Sequence, residues 1–495
     1  MQTVSRRHLA LYAATIFIAL SVFFLNGQPL IYFDTASYVD QGAKLFGAPK
    51  PVAAETPTDG SAAGQVASPA EPDNTVVGSR SIVYAIYLRV VTSVAGLPGV
   101  IGSNLAVVWL ATWIVARRLA RQEPDNLTMN GVTAAEVTAA GLLAACLGSL
   151  PFYVAFVMPD IFAPVLILLV AVLAVYGHSL RWGEWLAAVL LALFSVVAHP
   201  SHLLLVTLLA PFAVFVSPQT SGRRLTLGLL LIGALAGAGL AERFVFGKAV
   251  EHYLHKKVVY MPFLTARLID DGPGLTYLEG RCPDQSYATC TLLQALSLSQ
   301  DPTRLDAPNI LFSRTDQRGS YQRLSPAEQT AIAGEQVRLL TDVVSSDPVG
   351  VMVAIVRNVA TQLAYFSVEM TIPTPEVIDA TGKLTDQLPP SLGEGRLISA
   401  APSWAMPLYI AHGVVYLLSL GELGWMVAQK RVSRDARAML VIILGGILTN
   451  AIVCGAVSEP AYRYGARVMF LLPLAAVMVW ITRLPVARTT SGVTH

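Results

Sequence analysis

Five stretches place ionisable side chains beside apolar runs, and their residue types limit the chemistry available. Asp34, in Phe33-Asp34-Thr35-Ala36-Ser37-Tyr38, follows the first apolar run. It reads either as the N-cap of a short interfacial helix, on which Tyr38, Gly42, Leu45 and Phe46 recur at helical spacing, or as a catalytic carboxylate. At a water–lipid boundary, partial desolvation makes such a carboxylate a better base. Asp160, in Met158-Pro159-Asp160-Ile161, opens a later run, where Pro-Asp is also ordinary helix-start chemistry. His199-Pro200-Ser201-His202 breaks two runs. Two histidines at this spacing lack a third metal ligand, and the alternative is a polar contact to substrate. The stretch Ser458–Arg467 (SEPAYRYGAR) offers Tyr462, Arg463 and Arg467. Arginines among tyrosines either anchor a helix in lipid headgroups or grip a phosphate with the guanidinium fork. Arg80, just ahead of the apolar Ile82–Val94 segment, has the same two readings. The sequence has no P-loop, dinucleotide-binding glycine turn or serine-nucleophile elbow.

The elements that must position these residues are set by composition. Of 495 residues, 54% are hydrophobic and 13% charged, and the mean hydropathy is +0.56. Soluble domains carry roughly 25% charged residues. An ordinary water-soluble enzyme and a disordered chain are therefore excluded, because so much apolar surface must face lipid. A net charge of +2 gives no basic surface for nucleic acid. Crossing a bilayer takes roughly 20 apolar residues of helix, and about ten segments qualify. They are Leu9–Leu25, 100–116, 133–150, 161–177, 185–198, 203–217, 225–241, 404–427, 438–456 and 466–482. The expected fold class is an all-α polytopic membrane protein with interfacial helices and a periplasmic loop region.

Asn26-Gly27-Gln28-Pro29 lacks a small-x-small cleavage pattern, so the first run is taken as a retained span. Arg117/Arg118/Arg121, Arg181, Arg223/Arg224, Lys430/Arg431/Arg434/Arg437 and Arg483/Arg488 then fall on the N-terminal side. By the positive-inside rule both termini are cytoplasmic, and the large loop faces the periplasm of a bacterial inner membrane. The expected divisions are a transmembrane core over 1–242 with its first outer loop at 27–99, a periplasmic insert over 243–403, and C-terminal spans over 404–495. Val349–Phe366 is apolar but carries Arg357 and Asn358 at its centre. An arginine at mid-bilayer costs about 2.5–3.5 kcal/mol. The segment near 347–367 therefore reads as an amphipathic helix on the outer face, opened by Asp347-Pro348. The insert is expected to be loop-like, with a turn at Asp271-Gly272-Pro273-Gly274. Cys282 and Cys290, on an oxidising face, read as a disulfide rather than a metal site. Cys146 and Cys454 read as packing residues. The stretch Ala48–Ser79, rich in Pro, Ala, Ser and Thr, reads as a mobile loop.

The order of these motifs resembles the GT-C superfamily of polyprenyl-phosphate-sugar glycosyltransferases, nearest the protein O-mannosyltransferase and aminoarabinose transferase branch. The likeness runs through FDTASYVDQGAKLFG, SIVYAIYLRVV with WIVARRLARQ, MPDIFAPVLILLVAVLAVYG, AHPSHLLLV and AYRYGARVMFLLPLAAVMVW. It covers roughly 1–220 and returns at 404–483. The chain has Asp-Thr where many relatives have Asp-Glu, and the insert matches no acceptor-binding domain of the family. The resemblance implies a lipid-linked sugar donor and inverting displacement at the anomeric carbon. Asp34 would be the general base and Asp160 would position the acceptor or tune Asp34. Tyr38, Arg80, His199, His202, Tyr462, Arg463 and Arg467 would contact substrate, with the arginines offsetting the leaving phosphate. It implies no obligatory metal or cofactor, and the loop at 48–79 would be a lid. The acceptor, whether glycan, lipid or protein, is left open. The competing readings are a transporter or flippase of lipid-linked glycans, and a non-catalytic assembly protein.

Overall fold

A computed structural model describes residues 6–45, 75–78, 80–120, 132–216, 222–282, 286–313, 319–384, 388, 390–398 and 402–483. The expected lid at 48–79 lies outside the described residues except for 75–78. Among the described residues, six helices are long and apolar enough to cross a membrane: Ile82–Leu119, Pro159–Ser179, Gly228–Tyr253, Ala405–Ala428, Arg434–Val457 and Tyr462–Ile481. His8–Ala19, Ala134–Cys146, Trp182–Ala198 and Pro200–Val214 are apolar but shorter. Together they account for the segments expected from the sequence. The architecture is all-α and polytopic.

One boundary differs. Within Ile82–Leu119 the Ile82–Val94 segment and the 100–116 run belong to two helices that meet at a kink, with non-helical backbone at Gly96 (φ 62°, ψ −169°) two residues before Pro98. Glycine tolerates that positive φ, so one helix hands over to the next with no loop between them.

The helix Phe162–Tyr176 (FAPVLILLVAVLAVY) is apolar on every side, and all but one of its residues are buried. A helix without a polar face belongs at the centre of a bundle. It packs against Ile82–Leu119, Trp182–Ala198, Pro200–Val216 and Arg434–Val457. Asp160, at its start, is thereby carried to the middle of one end of the bundle.

The insert corrects the expectation of a loop. The preceding helix runs from Gly222 to Leu254, well past 241. Short helices Phe263–Asp271, Pro273–Arg281, Thr289–Ser297 and Ala307–Phe312 then pack with Pro326–Ser346 around a second core. Ile332, Leu339 and Val343 line one stripe of the longest helix and bury against Leu268, Leu278, Leu292 and Ile310. Apolar residues spaced seven and four apart do this in a helix, even where overall composition is polar. Ser325 and Glu328 form a capping box at its start. Glu335 accepts from the backbone N–H groups of Ala288 and Thr289, beside the disulfide that joins Cys282 to Cys290. The expected turn is present, with Gly272 at φ 102° between two helices.

The helix Pro348–Ala364 follows at a bend of 109° and starts where Asp347 accepts from the Gly350 N–H at 2.8 Å. It is amphipathic with its polarity reversed. Val349, Met352, Val353 and Val356 are exposed, while Asn358 and Gln362 face inward against Arg434–Val457.

Candidate active site

Two backbone clasps build the site. Leu30 bridges the 155–157 segment, donating to the Ala155 carbonyl at 2.8 Å and accepting from the Val157 N–H at 2.9 Å. Thr35 ties the start of the helix Phe33–Leu45 to the same segment, its hydroxyl donating to the Val157 carbonyl at 3.1 Å. Asp34 is thus held near the turn that leads to Asp160. The second clasp pairs strand Thr75–Val77 in parallel with Lys257–Val259 and places Arg80 just beyond it. Ser81 then caps the helix Ile82–Leu119 and donates to the Val197 carbonyl at 2.5 Å, bringing Arg80 toward His199.

At this end of the bundle Asp34 faces two cations. Arg80 Nη2 donates to its Oδ1 at 2.5 Å, and Arg463 Nη2 lies 3.5 Å from its Oδ2. The carboxylate therefore meets guanidinium groups with both oxygens and caps no helix N–H. Burial opposes its ionisation, but the fields of Arg80 and Arg463 outweigh burial and hold its pKa below the ordinary carboxylate value. The Asp34 and Arg80 side chains are 28% and 29% exposed, so the pair is open to an incoming group. Arg463 is 5% exposed and sandwiched, its guanidinium 4.3 Å from the Tyr32 ring and 4.7 Å from the Tyr464 ring. Burial, partly offset by Arg463, pushes the Tyr32 phenol up to about 12.

Behind this outer layer is a buried one. Arg467 reaches Asp160 Oδ1 at 3.2 Å and Asn450 Oδ1 at 3.0 and 2.8 Å. Asn450 donates in turn to the Tyr464 carbonyl at 2.7 Å. Tyr153 donates to the carbonyl of Arg463, which fixes the backbone between the two layers. Asp160 and Arg467, 2% and 1% exposed, touch no open surface. Their place is to hold the Tyr462–Met469 helix against the central helix, and through it Arg463.

The expected site residues divide accordingly. Asp34, Arg80 and Arg463 converge, with His199 close enough for its charge state to bear on Asp34. His199 donates or accepts at Ser201 Oγ, 2.8 Å away, and burial together with Arg467 and Arg463 pushes its pKa down to about 3. His202 is buried, with Nδ1 2.6 Å from the Ser195 carbonyl. The described residues contain no cluster of three or more His, Cys, Asp or Glu able to hold a metal ion.

Two of the expected tyrosines are held by ring packing. Tyr38 is one turn from Asp34 on the helix Phe33–Leu45. It is 1% exposed and packed edge-on against Tyr84 at 4.9 Å. Tyr38 lies three residues after the buried Thr35 on the helix Phe33–Leu45, and that spacing turns both into the core. Tyr462 is the other, stacked on Tyr365 at 4.4 Å. Tyr464 takes the place expected for Tyr462. Arg463 and Arg467, four apart, define one face of a helix, and Tyr464 is three from Arg467 while Tyr462 is five away. Helical register carried that signal. Tyr32 and Asn450 gave less, although a lone asparagine in the apolar run Arg434–Val457 is costly enough to mark itself. Glu459, between the two cores and near Arg463 and Arg267, is raised by burial to about 7.

No family model and no curated protein matches this chain. Among solved structures, ArnT from Cupriavidus metallidurans in the apo state is similar at 14% identity, with 96% of this chain and 76% of that chain covered and a TM-score of 0.31. The helical architecture described above rests on the helices themselves and not on this likeness.

Proposed function

We propose that the protein is an integral membrane glycosyltransferase of the GT-C type, moving a sugar from a polyprenyl-phosphate donor to an acceptor hydroxyl outside the cytoplasm. The observation that supports this most directly is Asp34 set between Arg80 and Arg463 at one end of an apolar helical bundle. In this reading the acceptor oxygen attacks the anomeric carbon as the bond from that carbon to the phosphate oxygen breaks. The acceptor proton goes to Asp34, and the electron pair leaves with the phosphate. Arg80 and Arg463 stabilise the charge that develops there.

The same two cations that hold Asp34 ionised also weaken it as a base. A donor phosphate competes for them, and as it draws them off the carboxylate regains proton affinity. Asp160 is a positioning residue here, acting through Arg467 and the helix that carries Arg463. Neutral His199 lines the polar edge of the site.

The test is transfer from a polyprenyl-phosphate sugar by purified protein in nanodiscs. Asp34→Asn should lower the rate by about 10²–10⁴, the usual contribution of a positioned general base, with the protein inserted and folded as before. Wild-type transfer retained by Asp34→Asn would sink the assignment. Movement of lipid-linked glycan across vesicles without glycosyl transfer would favour a transporter instead.

A further inference from the structure

A second site lies in the packed insert. The helix Pro273–Arg281 and the bend at Asp347 enclose an open groove of about 560 Å³, lined among others by Asp271, Thr276, Tyr277, Arg281, Asp347 and Arg357. That volume is in the range of small-ligand sites, roughly 300–1,000 Å³.

Its chemistry is mixed. Asp271 Oδ1 takes Arg267 at 2.5 Å, Asn358 at 2.8 Å and Arg357 at 3.3 Å, so its charge is answered within the fold. Asp347 is exposed and uses one oxygen to cap Gly350. Tyr277 is held in place through its hydroxyl, 3.1 Å from that of Tyr287, which donates to Asp342 at 2.6 Å. The Arg281 guanidinium lies 5.6 Å from the Tyr277 ring. The lining holds two carboxylates, two guanidinium groups and the Thr276 and Ser346 hydroxyls. A site for phosphate would carry an excess of cations, where this lining carries as many carboxylates as guanidinium groups, and one for an extended peptide would offer a strand edge or apolar pockets. Donors and acceptors in balanced number beside one aromatic ring suit a ligand with many hydroxyls and no net charge.

The groove is joined to the Asp34 site by one helix. Asn358, which donates to the lining residue Asp271 at 2.8 Å, and Gln362, one turn later, share the inner face of Pro348–Ala364. Gln362 accepts from the Ala461 N–H at 2.9 Å and donates to its carbonyl at 3.0 Å, two residues before Arg463.

We infer that this groove binds a neutral oligosaccharide, as the part of a glycan acceptor remote from the hydroxyl that reacts. As an acceptor site it rests on the proposed transfer reaction, but oligosaccharide binding is measurable without transfer. The experiment is saturation-transfer NMR and calorimetry on the full-length protein in detergent, using a panel of neutral hexose, pentose and N-acetylhexosamine oligosaccharides. Wild type and Asp34→Asn should bind the same oligosaccharide alike. Tyr277→Ala and Arg281→Ala should each weaken it about tenfold or more, and Tyr277→Phe should retain most of the affinity. Arg281 is exposed, so its variant keeps the test valid if Tyr277→Ala fails to fold. The inference is overturned if wild type binds none of the panel at millimolar concentration, if neither alanine variant alters binding, or if peptides or anionic polymers are selected instead. Oligosaccharide binding without transfer from any donor would remove the transferase reading and leave the groove standing. Transfer with unaltered binding and KM in both alanine variants would do the reverse.

Discussion

Asp34 stays ionised at neutral pH because two guanidinium groups outweigh its burial, and this fixes the sign of its pH dependence. A carboxylate with a lowered pKa is lost as base only when pH falls below the ordinary value, about 3.9. The acid limb of kcat/KM, which reports the free protein, is therefore expected below that value. Arg80→Ala should move it upward, since removing a cation favours the protonated carboxyl. A limb that stays put in Arg80→Ala would detach Arg80 from the base. Asp160 is governed by a different energy. With both partners of the Asp160–Arg467 pair almost fully enclosed, Asp160→Ala leaves a buried cation with less to answer it. Loss of one member of such a pair costs about 3–5 kcal/mol, to be read as a lowered melting temperature in detergent. Asp34→Asn also leaves the enclosed Arg463 with less to answer it, but Asp34 is itself half-open, so its melting temperature should fall less than that of Asp160→Ala.

At the level of elements, the junction between Pro348–Ala364 and the helix Tyr462–Met469 carries the site. Gly465 sits so close to the Tyr365 carbonyl that an added Cβ would overlap it. Gly465→Ala should therefore cost about 1–3 kcal/mol, the usual range for overpacking, and also disturb the Gln362 grip on Ala461. Melting measurements check the first effect. A drop in transfer beyond that of an equally destabilised distant variant checks the second. Gln362 is needed on the inner side of Pro348–Ala364, where the Ala461 backbone N–H and carbonyl await partners, and Asn358 on the same side donates to Asp271.

Across the whole molecule, the described residues form two apolar cores, one in the bundle and one in the insert. Leu339 is fully buried in the second. Leu339→Ala should cost the insert about 2–5 kcal/mol and make it the first part cleaved in limited proteolysis, while the bundle keeps its resistance. Cleavage spread evenly through both would mean that the two cores unfold together.

The positions of the apolar helices were legible in the sequence because lipid demands long apolar runs, a signal carried by each segment alone. Asp34, Arg80 and Arg463 were legible as candidates for a related reason: a charge beside an apolar run needs an explanation wherever the chain later goes. The core of the insert was not, since its apolar residues are divided among four short helices and one stripe of Pro326–Ser346 and become a core only once these five pack. Nor did residue type tell an Asp34 facing solvent from an Asp160 enclosed with Arg467, or show that Tyr38 would be turned into the core. Those distinctions depend on rotation about a helix axis and on which helix occupies the centre of the bundle. Segments hundreds of residues apart settle both when they pack.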